Sequence, residues 1–402
     1  MPRLPGDPNL RAHLDVVKTF TRSPHQAPPS ADPANEFLRL ACLTYSQDDP
    51  ARWAAAQELL TPELARASLH VAAAAGDVAS ARAQLSDVNV LGGPHRWPPL
   101  LYLAYSRVSG AGALEVARLL IEAGADVDAG FLWDGLMSPF TALTGAFGRG
   151  EGDPPPHRDS LALARLLLEA GADPNDSQAV YNLHWTEDDA WLELLLEFGF
   201  GTGDGGPWHA RLGGAHATPR ENAEDCLMWA AHQGFAHRVE LLLAAGVDPG
   251  GSGTEHPILG GRTALEEALR NGHTDAARVL RAGGASEPGL DAAQAIEAAY
   301  MCADPSVTAP PPPGLIVRAA EHGRADAIAL LLARGADVNE LSHRGSALHE
   351  AALRGDRAVV DQQLAAGADP SLRDREVRAD AAGWAAHAGH TDLAAFLSGL
   401  TR

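Results

Sequence analysis

Apolar positions along this chain come in pairs of short stripes. In residues 345–370, GSALHEAALRGDRAVVDQQLAAGADP, Leu348, Ala351 and Ala352 fall on one face of a helix that Ser346 can cap. Gly355 then turns the chain back, because glycine takes a left-handed backbone at little cost. Val359, Val360 and Leu364 stripe a second helix, which Gly367 closes. Helices this short cannot bury both faces alone, so the pattern predicts a neighbouring copy on each side.

Such copies recur. ASLHVAAAAGDVASARAQL (from Ala67) carries the pattern with His70 and Gly76, and PPLLYLAY with LEVARLLIEAGADVDA repeats it up to Gly124. TALTGAF (Thr141 to Phe147) and LALARLLLEAGADPN, closing at Gly171, are split by the insertion GRGEGDPPPHRDS. AVYNLHW and DAWLELLLEFG read as a degenerate pair, followed by a glycine-rich loop, GFGTGDGGPWHARLGG, too long for an ordinary connection. The pattern returns up to Gly246, again at RTALEEALRNGHTDAARVLRAGGA, and then with Gly335, the 345–370 unit and ADAAGWAAHAGHTDLAAFL.

The repeated unit resembles the ankyrin repeat. Its T-P-L-H-x-A-A, glycine turn, V-V-x-x-L-L and G-A-D stand here as Ser346 to Ala352, Gly355, Val359-Val360 and Gly367-Ala368-Asp369. The type is bacterial, with degenerate repeats and long inserted loops. The resemblance implies an all-α helical solenoid of about eight or nine units. It gives His70 and His349 a structural role, bonding neighbouring backbone, and gives Gly76, Gly124, Gly171, Gly246, Gly335, Gly355 and Gly367 the turns. Around the repeats we expect a flexible proline-rich arm over 1–34, with one helical turn around Leu10 to Phe20, and N-terminal capping helices over 35–66. Repeats with inserted loops follow over 67–285, then a degenerate unit and proline-rich connection over 286–314, and C-terminal repeats with their cap over 315–402.

Composition narrows the function. A formal charge of −21 argues against duplex nucleic acid or an anionic membrane as partner and favours one with basic patches. Cys42, Cys226 and Cys302 form no C-x-x-C pair, so neither a disulfide framework nor a cysteine zinc site is expected. With no signal-like or membrane-length apolar run, a cytoplasmic protein is expected. Nothing in the sequence fixes its oligomeric state.

Ankyrin-type proteins generally bind other proteins across a concave face and its loops, and the resemblance implies the same non-catalytic work here. Aromatic residues concentrate between Phe131 and Trp208. They serve either as partner anchors or as a satellite core beneath the loops. The expected contact residues are Trp133, Phe140, His157, Tyr181, His184, Trp185, Trp208 and His209. Prolines 154–156 would stiffen the inserted loop for a partner. The alternative is an enzyme or metal-dependent binder using His157, His184, His209 and His216 with nearby Glu151, Asp153 and Asp204 on the central loops. Their spacing matches no ligand motif, His349-Glu350 lacks the second histidine of H-E-x-x-H, GTGDGG lacks a P-loop lysine, and no G-x-S-x-G is present. We therefore expect no catalytic residue, no metal site and no cofactor.

Overall fold

The structure, a computed structural model, describes residues 15–46, 48–254, 259 and 261–401. It is mostly helical, and the described residues include three short strands. The chain divides into two compact units, 1–226 and 227–402.

In the first unit short helices pair as hairpins: Leu69–Ala75 with Val78–Ala83, Pro99–Tyr105 with Ala113–Glu122, and Ala142–Phe147 with Ser160–Glu169. First helices pack on first helices and second on second, so their alanine and leucine stripes merge into one core. The degenerate pair continues the series with Ser177–Asn182, a 3-10 turn Leu183–Trp185, and Ala190–Glu197. In the second unit the hairpins are Ala264–Arg270 with Thr274–Ala282, Leu315–Glu321 with Ala325–Ala333, Ala347–Leu353 with Arg357–Ala365, and Ala381–His387 with Thr391–Leu400. Helix Ala292–Met301 packs beside Ala264–Arg270, and the Pro310–Pro313 run after it is not helical.

Local chemistry accounts for the turns. The seven turn glycines, from Gly76 to Gly367, all have φ between 66° and 97°. Ser346 and His349 form a reciprocal cap, and the His349 Nε2–H donates to the Ala379 carbonyl (3.2 Å). His70 likewise donates to the Val90 carbonyl (2.9 Å). Asp49 caps helix Pro50–Leu59 through the amide of Ala51, with Pro50 at the start where no amide hydrogen is needed.

Three features differ from the sequence expectation. Residues 1–14 of the arm lie outside the described residues, but its described part is built into the fold. Residues 15–20 are helical, where a helical turn around Leu10 to Phe20 is expected, and what the sequence reading did not include is that β1 (Thr21–Arg22) pairs parallel with β2 (Gly130–Trp133). Helix Pro33–Ala41 starts within the expected arm, capped by Asp32. Second, β2 forms a hairpin with β3 (Pro139–Thr141). Asp134 (φ 48°) and Gly135 (φ 82°) make its turn, a D-G signal flanked by apolar residues that the helical reading passed over. Third, the glycine-rich loop contains helix Gly206–Leu212, whose Trp208 and Leu212 pack with Leu132, Val16, Val17 and Phe20. A long insertion becomes ordered by burying apolar area, and these aromatics supply it.

Candidate binding cleft beside the inserted loop

The insertion after helix Ala142–Phe147 is tightly curled. Gly148, Arg149, Gly150, Gly152 and Asp153 all have positive φ, two of them residues for which that region is strained. A Cβ on Gly148 would lie 2.4 Å from the Pro155 carbonyl oxygen, so only glycine fits there. The Arg149 amide donates to Pro154 O (2.8 Å), and its guanidinium pairs with Asp153 (2.8 Å). Arg107 Nε donates to Pro155 O (2.7 Å), and Asn182 Nδ2 donates to Gly148 O (2.8 Å). The loop is thus held by its own hydrogen bonds and by two from outside it, from Arg107 and Asn182.

Facing it is the segment that leads into helix Pro50–Leu59. Tyr45, φ 57°, donates its hydroxyl to Thr144 O (3.1 Å) and Gly148 O (3.3 Å). The Asp48 carboxylate accepts from the amides of Thr44 (2.8 Å) and Tyr45 (2.6 Å) and from Arg52 (3.1 Å), which neutralises it. Between the two walls lies a cleft of about 290 Å³ lined by Tyr45, Asp48, Trp53, Glu151, Asp153 and Pro154 among others. Arg52 and Arg149 balance two of its three carboxylates. Glu151 has no basic partner among the described residues. It accepts a hydrogen bond from the Tyr181 hydroxyl (2.7 Å), whose pKa is raised by burial first and then by Glu151, so the phenol remains a donor. Trp185 stands edge-on to Tyr181 at 6.2 Å and is 49% exposed. The arrangement offers an acidic, aromatic-walled notch with a protruding indole beside it.

The other expected contact residues sit elsewhere. Trp133 is half-buried, donating its indole N–H to Thr44 O (2.8 Å) and stacking on His25. Phe140 is buried against Phe131. Trp208 is buried and donates to Asp128 O (2.9 Å). His157 is buried, its Nδ1 accepting from the Asp159 amide (3.1 Å), and burial lowers its pKa to about 3. His184 is buried edge-on to Tyr181. His209 is half-buried near His216, and His216 meets the Ser177 hydroxyl. As exposed contacts, Phe140, His157, His184 and Trp208 are corrected: these side chains support loops from beneath. Among the described residues, no three histidine, cysteine, aspartate or glutamate side chains are placed to hold a metal ion. The expected set leaves out Tyr45, Asp48 and Trp53, which precede the loop by about a hundred residues and carry no local signal of meeting it.

No helix among the described residues is long and apolar enough to cross a membrane. No protein-family model matches the sequence, and comparison with curated proteins gives no match.

Proposed function

We propose that this chain is an ankyrin-type repeat protein whose work is non-catalytic recognition of a protein partner, with the contact centred on the cleft between the inserted loop and Tyr45–Trp53. The single observation that carries this reading is the unneutralised Glu151 set between aromatic walls, with exposed Trp185 alongside. A lysine or arginine side chain from the partner enters the notch, pairs with Glu151 and stacks on Tyr45 or Trp53. The hairpin series, its left-handed glycines and the His70 and His349 bonds to backbone support the ankyrin-type assignment. The strained, well-anchored loop supports a pre-shaped surface, which loses little entropy when a partner arrives.

Affinity capture from the native cell at low and high salt tests it, using the wild-type chain beside Glu151→Gln and Trp185→Ala. A partner retained by wild type, reduced at least tenfold by either variant and weakened by salt is the expected result. Equal recovery with all three proteins, unaffected by salt, would overturn the cleft as the contact.

A further inference from the structure

A second concavity in the first unit has the opposite electrostatic character. It encloses about 550 Å³, and its lining includes Phe20, Arg22, Arg96, Trp97, Phe131 and Arg211. Among the described residues that line it Asp126 is the one carboxylate, against three guanidiniums, on a chain whose net charge is −21. Each arginine arrives by a different route. Arg22 lies on β1, and its guanidinium donates to the carbonyls of Thr19 (3.1 Å) and Thr21 (2.7 Å). Arg96 occupies the tip of the loop closed by the Gly92–Trp97 bridge, with φ 53°. Arg211 comes from helix Gly206–Leu212 and lies over the rings of Phe20 (5.4 Å) and Trp208 (4.9 Å), with Asp126 only at 4.0 Å.

Elsewhere in this unit arginines commonly meet carboxylates, as Arg39 does with Glu36, Arg52 with Asp48 and Arg165 with Glu197. Among the described residues, no carboxylate lies within 4 Å of Arg22 or Arg96 in this way. Burial first, and the charge of Arg96 second, push the Arg22 pKa below its ordinary value. Bringing like charges together on separate elements is unfavourable unless something negative enters between them. The wall beneath is apolar, with Trp97 stacked on Phe131 (4.9 Å) and both rings buried. The volume far exceeds that of a lone oxyanion, and lies in the range of small-molecule sites lined by apolar side chains with a few polar groups.

We propose that this groove is a binding site for a small organic anion, a carboxylate or phosphate carried on a planar apolar body, with Arg22, Arg96 and Arg211 on the acidic group and the Phe20, Trp97 and Phe131 side as its apolar bed. Guanidinium forks match the oxygens of either group, and the aromatic bed selects for the attached ring. The site is separate in residues and opposite in charge from the acidic cleft, so it stands or falls independently of the proposed partner.

The test is titration calorimetry on the full chain with benzoate and phenyl phosphate, against benzamide and inorganic phosphate as controls lacking the charge or the ring. One of the two aromatic anions is expected to bind at one per chain, at least tenfold tighter than either control, and the tighter of the two tells carboxylate from phosphate recognition. Arg96→Ala, an exposed side chain whose loss should leave the melt unchanged, is expected to weaken that binding at least tenfold, and Glu151→Gln is expected to leave it alone. Absence of binding by both anions, equal binding of benzamide, or full binding by folded Arg96→Ala would overturn the proposal.

Discussion

Gly355 holds φ at 70°, and a Cβ there would lie 2.6 Å from the His390 ring, whose Nε2–H donates to Leu353 O (3.1 Å). Gly355→Val therefore combines a left-handed β-branched residue with a clash, and should cost about 2–5 kcal/mol. Gly367 has φ 92° but nothing within 4 Å of the added carbon, so Gly367→Ala carries the backbone strain alone, about 1–2 kcal/mol. Thermal melts of the two variants check the ranking, and equal losses would show that contact with His390 contributes nothing. The tryptophans should separate as sharply. Trp208→Ala removes a buried ring and an indole hydrogen bond, for a loss of about 3–5 kcal/mol. Trp185→Ala, half exposed, should stay within about 1 kcal/mol of wild type. The need for glycine at the turns is visible in the sequence, because backbone sterics are local; which tryptophan is buried is not, because that depends on what folds over it.

At the scale of elements, successive turns in the second unit bring histidines together. His232 Nδ1 meets Glu267 (2.7 Å), His273 Nε2 meets His322 Nδ1 (3.4 Å), and the His232 and His322 rings lie 5.2 Å apart. Burial first, then neighbouring arginine and histidine charges, lower the pKa of His273 to about 4 and of His322 to about 2. The arginine charges are those of Arg324 and Arg354 on His273, and of Arg318 and Arg354 on His322. Burial alone would raise the Glu267 pKa, but hydrogen bonds from His232 and Arg262 hold it below the ordinary value. A histidine with a lowered pKa is neutral when folded and protonates first when unfolded. Stability is therefore full above about pH 6.5 and falls with acidification toward the lowered value, by about 1.4 kcal/mol per pH unit for each such group. His322→Gln should flatten the difference in stability between pH 7 and pH 5, read from urea melts at each pH. An unchanged slope would mean that His322 takes up its proton over the same pH range folded as unfolded. Glu350, raised by burial, contributes the opposite sign, so the comparison is made between variant and wild type. The convergence of these three rings, from positions 232, 273 and 322, came from the packing of successive turns and carried no local signal.

For the molecule as a whole, each compact unit is a series of hairpins in contact with their neighbours, so a local lesion should stay local. Gly355→Val is expected to expose new protease sites after Leu227 before any appear within 15–226, as mass mapping of limited digests would read. Simultaneous cleavage throughout would show that the units unfold as one. The −21 charge belongs to this scale too: it sets a field that favours basic partners, yet within a Debye length, about 8–10 Å, the local arginines of the second groove dominate.

The order of the hairpin helices, their apolar faces and their left-handed turns were already determined by the chain's own letters, because capping, glycine backbone freedom and helical periodicity act between residues a few positions apart. Which distant pieces meet was decided only in three dimensions. Tyr45 reaches Gly148, β1 joins β2, and arginines from 22, 96 and 211 share one groove, because buried backbone groups and exposed apolar rings must find partners, and the nearest suitable ones lie far along the chain.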